Sequence, residues 1–327
     1  MKNIFLVLII LIGFSSCKEE LDCCLQPPES RDFRQDMRNF VQGISSYSKN
    51  INPNFSIIPQ NGQTLVVNDQ DDISTINQDY LNAINGMGQE DLFYGYDNDD
   101  EATASSDNSF IAQYLDKAKE NNIQILVTDY CSTISKMEDS YVQNGSKGYI
   151  SFAADHRELD NIPGFPSIPN NENSSDIMQL SEVKNFLYII SPSAYNTKTA
   201  FLEAIKTTNY DLVLIDYFFN EEQEYSTEEI ASLKVKANGG RRLVISYMSI
   251  GEAEDYRYYW NSEWKNNPPS WMSTVNPDWP GNFKVKYWEK AWQDIIFGND
   301  SSYLKKIVDA GFDGVYLDII DAYEFFE

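Results

Sequence analysis

The chain has 327 residues, 42% apolar and 14% aromatic. That is enough to build a large core, and intrinsic disorder is not expected. It carries 50 acidic and 25 basic side chains, a formal net charge of -25. A surface that negative repels phosphate backbones and anionic lipid headgroups, which argues against nucleic acid and favours a neutral or cationic partner unless the charge serves solubility alone.

Lys2 and the apolar run Ile4 to Ile12 form a segment too short to span a bilayer, with the build of an export signal. Phe14-Ser15-Ser16-Cys17 resembles a bacterial lipobox, and Lys18-Glu19-Glu20 follows at once. The expected organisation is a lipoprotein signal peptide over 1–16, a tether over 17–30 that begins with acylated Cys17 and holds Pro27-Pro28, and one domain over 31–327. The mature protein is then exported and held at the membrane by lipid, facing the periplasm or the cell surface. Cys23, Cys24 and Cys131 have no metal-ligand spacing, so neither a disulfide framework nor a metal site is read. His156 is the single histidine, and no Gly-x-Ser-x-Gly elbow accompanies it, which disfavours a triad esterase.

Short apolar runs then recur at Phe55–Pro59, Asp91–Tyr96, Ile123–Asp129, Gly148–Ala153, Phe186–Ile190, Asp211–Asp216, Arg242–Tyr247 and Phe312–Asp318. Most are continuously hydrophobic, as strands buried on both faces are. Amphipathic patterns separate them: Phe110 to Asn121, Thr199 to Thr207, a helix opened by the Ser226-Thr-Glu-Glu229 capping box and running through Lys236 to Gly239-Gly240, and Ser302 to Ala310 stopped by Gly311. Eight strands alternating with helices predict a single-domain (β/α)₈ TIM barrel of α/β class. Residues 251–299 form a long aromatic-rich loop insertion after strand 7.

Asp129, Asp216 and Asp318 end strand patterns, and Glu252 and Glu254 follow the seventh. That end of a (β/α)₈ barrel is where active sites assemble. Tyr130, Tyr217, Tyr247 and Tyr316 lie in or just beyond strands, and Tyr256, Trp260, Trp264, Trp271, Trp279, Trp288 and Trp292 are among the rings in the insertion. Rings stack on sugar faces while carboxylates bind hydroxyls, and glycoside hydrolysis needs two carboxyl groups with no cofactor and no metal. The expected partner is a polysaccharide, with the membrane reached only through the lipid anchor and the protein a monomer. A carbohydrate-binding lipoprotein without turnover, and a carboxylate-bound metal hydrolase, are the competing readings.

The segment Gly311 to Tyr323 (GFDGVYLDIIDAY) resembles a signature of glycoside hydrolase family 114, the endo-α-1,4-polygalactosaminidase-like proteins. So do Tyr210–Tyr217, Ser246–Arg257 and Trp279–Trp288. The resemblance implies a barrel acting on galactosamine-containing polymers, partly cationic substrates that suit the negative charge. Family strands expected after Gly-Val-Tyr-Leu-Asp318 do not follow it. Asn54–Gly62 and Gly86–Tyr94 look like those strands, so the order reads as circularly permuted, with Asp318 on strand 8 and Glu90 just before or at strand 2. Carried over by motif, the catalytic pair is Asp318 as nucleophile or base and Glu90 as general acid, with the roles exchangeable. Asp216, Glu252, Glu254 and Asp321 are expected to bind substrate amines or hydroxyls, Arg257 to hold a carboxylate, and Tyr247, Gln60 and Asn61 to hydrogen-bond sugar; Asp129 and Tyr217 complete the expected lining.

Overall fold

The computed structural model describes residues 31–220 and 223–327. The expected signal peptide, the tether and Cys17 lie outside the described residues. Parallel strands follow one another along the chain: β1 (Ser56–Pro59), β2 (Gly86–Glu90), β3 (Gln124–Tyr130), β4 (Ile150–Ala154), β5 (Phe186–Tyr188), β6 (Leu212–Ile215), β7 (Leu243–Ser249) and β8 (Gly314–Asp318). One ladder runs β1-β8-β7-β6-β5 and a second β2-β3-β4. Gln60, one residue past β1, bridges in parallel to Gly88 of β2, and Asn61 N donates to Gly88 O at 2.8 Å. The two ladders thus join into one central parallel run. Its ends, β4 and β5, adjoin, with the Phe152 and Phe186 rings 5.6 Å apart.

Helices α1 (Phe33–Ile51), α2 (Gln78–Ala83), α3 (Ser105–Glu120), α4 (Ile134–Lys147), α5 (Lys198–Lys206), α6 (Thr227–Leu233), α7 (Lys290–Ile296) and α8 (Tyr303–Asp309) lie among the strands. The α1 pattern shows why they pack: Met37, Phe40, Val41 and Ile44 recur at three- and four-residue spacing and all four are buried, forming one apolar stripe. Residues 33–327 form one compact unit.

Three expectations need correction. The second strand is Gly86–Glu90, not Asp91–Tyr96. Two glycines and two polar residues hid it, and Gly88 leaves room for the end of the Tyr316 phenol, whose hydroxyl would lie 1.9 Å from a Cβ placed there. The helix after Ser226 has the expected capping box but ends at Leu233, short of Lys236. Beyond that helix, Lys236 instead reaches the carboxylate of Asp211 at 2.9 Å, with both side chains fully buried; a buried charge must find a partner, and this one outweighs another helical turn. The insertion is not a simple loop. Residues 252–254, 282–285 and 272–275 form a three-stranded antiparallel sheet ahead of α7.

Gly88→Ala tests the interior packing. Overfilling a packed site costs about 1–3 kcal/mol, so the urea midpoint is expected to fall by the equivalent amount. An unchanged midpoint would show that the Tyr316 ring is free to move.

Candidate active site

The pleat decides what each strand end shows. Along β2, Gly88 and Glu90 point inward; along β8, Tyr316 and Asp318 do. Together with Gln60, Tyr130, Tyr188, Asp216 and Tyr247, the two acids line one cleft of about 1180 Å³. The chain turns sharply straight after three of these residues. Asn61 follows Gln60 with φ 59°, Asp91 follows Glu90 with φ 58°, and Ile319 follows Asp318 with φ 58°. Left-handed backbone is costly for side chains, most of all for a β-branched one, and such conformations concentrate where surrounding structure enforces them at functional positions.

Glu90 is held at both oxygens. Tyr130 OH donates to Oε1 and Gln60 Nε2 donates to Oε2, while Asn61 Oδ1 accepts the Glu90 amide at 3.1 Å. Tyr188 OH donates to Gln60 Oε1 at 3.1 Å and orients that amide in turn. Burial, with the negative charge of Asp318 adding to it, raises Glu90 to about 7, against the pull of the Tyr130 hydroxyl. Asp318 accepts Tyr247 OH at 2.5 Å and the Ile319 amide at 2.7 Å. Burial raises it to about 6, partly offset by those two donors. Asp321, three residues on, is raised to about 7 by burial and by the charge of Asp318.

Beside this pair, Arg257 grips two carboxylates. Nη1 and Nη2 meet Asp216 at 2.8 and 2.7 Å, and Nε meets Glu254 at 2.6 Å. Tyr256 OH donates to Glu254 at 2.6 Å. Glu252 is fixed from the insertion by Asn276 at 2.9 Å and Asn282 at 3.1 Å. Among the described residues, no group of three or more His, Cys, Asp and Glu is placed to hold a metal ion.

Residues 169–326 match the family model of glycoside-hydrolase family GH114. This part of the chain belongs to family GH114. An uncharacterized protein of Methanocaldococcus jannaschii is 43% identical over 180 residues, 54% of this chain and 49% of its own length. One from Thermotoga maritima is 41% identical over 133 residues, 40% of this chain and 39% of its own. One from Deinococcus radiodurans is 42% identical over 123 residues, 38% of this chain and 37% of its own. The aligned part therefore spans about half or less of each relative. Asp216, Tyr247, Glu252, Glu254, Arg257, Asp318 and Asp321 fall inside the GH114 match, and Gln60, Asn61 and Glu90 outside it; all of them line the cleft.

Two expected lining residues are elsewhere. Asp129 is fully buried behind β3 and accepts the Phe93 amide at 2.8 Å, Ser140 Oγ at 2.6 Å and Asn144 Nδ2 at 2.9 Å. It ties the loop after β2 to α4. The register of β3 gives Tyr130 the inward position, so Asp129, next to it, faces outward. Tyr217 is likewise out of phase with Asp216: it packs on Phe218 and Phe312, and its hydroxyl meets Glu224 at 3.1 Å. Tyr188 was missing from the expected site, and Tyr130 was expected only as one of the rings in or just beyond the strands.

Proposed function

We propose that this protein hydrolyses glycosidic bonds in a galactosamine-containing polysaccharide, with Glu90 as general acid and Asp318 as nucleophile or general base. The observation that carries the reading is one cleft lined by two buried carboxyl groups in different surroundings: Glu90 is held by the Tyr130 hydroxyl and the Gln60 amide, Asp318 by the Tyr247 hydroxyl and the Ile319 amide. Burial raises both, Glu90 to about 7 and Asp318 to about 6, which suits a pair in which one group gives a proton while the other is charged, the division of labour that glycoside cleavage requires. The Glu90 proton passes to the glycosidic oxygen as the bond from C1 breaks. Asp318 either bonds to C1, and water then displaces it while Glu90 takes back a proton from that water, or takes a proton from water that attacks C1 directly. Tyr130 and Tyr247 hydroxyls steady the two carboxyl groups. The further acids Glu252, Glu254, Asp216 and Asp321 give the cleft a negative field suited to amino sugars.

The same reading takes the strand run as a closed (β/α)₈ barrel, permuted relative to the family. It is supported by the Gln60–Gly88 bridge, by the adjacency of β4 and β5, and by the position of Glu90 outside the GH114 match. Export as a lipid-anchored monomer through Cys17 belongs to the proposal as well and rests on the lipobox-like segment.

The test is release of reducing ends from polymers of galactosamine, N-acetylgalactosamine and galactose. Release from the first is expected. Retention of that polymer without any release would identify a carbohydrate-binding protein instead.

A further inference from the structure

We infer that Trp279 is the stacking floor of a separate sugar subsite on the insertion side of the cleft, so that the site grips several units of a polysaccharide at once. The inference rests on the glycosidase reading for the identity of its ligand. Most tryptophans of the insertion have structural work. Trp292 is fully buried and Trp271 nearly so. Trp260 stacks on Phe283 at 4.9 Å, and Trp264 meets Trp271 edge-on at 5.1 Å. Trp279 differs: it lines the cleft, yet 62% of it is exposed. Leaving an indole in water forgoes its burial, and a ring in a cleft wall offers a flat apolar face to a ligand.

The turn that carries Trp279 is built as a rigid mount. Asn276 N donates to Asn282 O at 2.8 Å, Asn282 N to Trp279 O at 3.0 Å, and Asp278 N to Asn276 Oδ1 at 3.1 Å. Gly281, with φ 102°, lets the backbone turn back, and Asp255 N donates to its carbonyl at 2.8 Å. The side chains of Asn276 and Asn282 hold Glu252, so the mount is tied to the cleft wall beside Asp318. A platform already fixed before binding loses little freedom on contact.

The surroundings match a pyranose. A sugar ring offers an apolar C–H face and a rim of hydroxyls, and here an indole lies in a wall that also presents Asn276, Asn282 and Asp321. The cleft, at about 1180 Å³, exceeds the roughly 300–1,000 Å³ of sites for a single drug-sized ligand. Tyr195 lines it as well, on the loop after β5 rather than on the insertion. A chain of sugars crossing Glu90 and Asp318 therefore has an aromatic contact available on the insertion side of the cleft.

The experiment compares wild type, Trp279→Ala and Trp279→Phe on α-1,4-linked galactosamine oligomers of increasing length, with binding to the immobilised polymer measured in parallel. Removing one stacking contact is expected to lower kcat/KM on long oligomers by about 3- to 10-fold, mainly through KM, and to leave the shortest cleaved oligomer within about twofold; the Phe variant recovers part of the loss. Equal losses at every length, or none at any, would overturn the subsite. If wild type cleaves nothing but binds the polymer in a Trp279-dependent way, the subsite stands and the glycosidase reading falls. If wild type neither cleaves nor binds, both fall.

Discussion

Glu90→Gln is expected to lower kcat on polysaccharide by about 10²–10⁴-fold, the usual contribution of a positioned general acid, with KM near that of wild type. The amide still accepts from Gln60 or Tyr130 but has no proton to give the leaving oxygen. A substrate whose leaving group needs no protonation should regain most of the rate in this variant. Asp318→Asn should be slow with both kinds of substrate, because it removes the group that meets C1 or the attacking water. If the two patterns are exchanged, so are the two roles. If neither change slows a reaction that wild type performs, the catalytic assignment is wrong.

The pH dependence follows from the same surroundings. With Asp318 near 6 and Glu90 near 7, wild-type kcat/KM should form a narrow bell. It falls below about 6 as Asp318 gains a proton and above about 7 as Glu90 loses one, both limbs belonging to the coupled pair. Glu90→Gln should lack the alkaline limb. Stability carries an independent sign. The folded state raises Glu90 from 4.5 to about 7, so its favourable contribution is complete below 4.5 and is lost as pH rises through 7. At pH 8 the Gln variant, which has no charge to bury, should therefore unfold at higher denaturant than wild type. A variant that is slower and more stable at pH 8 would mark Glu90 as a residue kept for chemistry rather than for folding.

Arg257→Met should have the largest effect on the protein as a whole. The guanidinium is buried and forks onto Asp216 while bonding Glu254. Removing one partner from a buried pair costs about 3–5 kcal/mol, and here two carboxylates lose their counter-charge together. A large fall in the urea midpoint is expected, with a matching loss of activity. Arg257→Lys should recover only part of both, since a single ammonium cannot serve two carboxylates with the geometry of a planar fork. A midpoint within about 1 kcal/mol of wild type for Arg257→Met would show that water solvates the two acids adequately.

How much of the site was legible varied with the kind of signal. Asp216, Glu252, Glu254 and Asp318 were readable because acids rarely end apolar runs by chance, and the cleft does collect them. Asp129 carries the same local signature but serves as a buried clamp. Nothing in its neighbours separates the two cases, because β3 is apolar on both faces and so has no alternation to set its phase. The strand at Gly86–Glu90 was obscured by the glycine that makes room for Tyr316. Arg257 was expected to hold one carboxylate and holds two, a count that depends on where β6 ends.

Local chemistry, then, was settled by the order of residues alone: continuous apolar runs dictate parallel strands, Ser226 with Glu229 dictates a helix start, and the excess of acids dictates a negative field. Only the tertiary structure decided which of two successive side chains at a strand end faces the cleft, how far each acid is stripped of water, and which indole is left uncovered. The physical reason is that these depend on register, burial and neighbours distant in the chain. A carboxyl at the end of β2 reaches about 7 because the tertiary fold buries it and sets Asp318 of β8 beside it, with the Tyr130 hydroxyl of β3 pulling the other way.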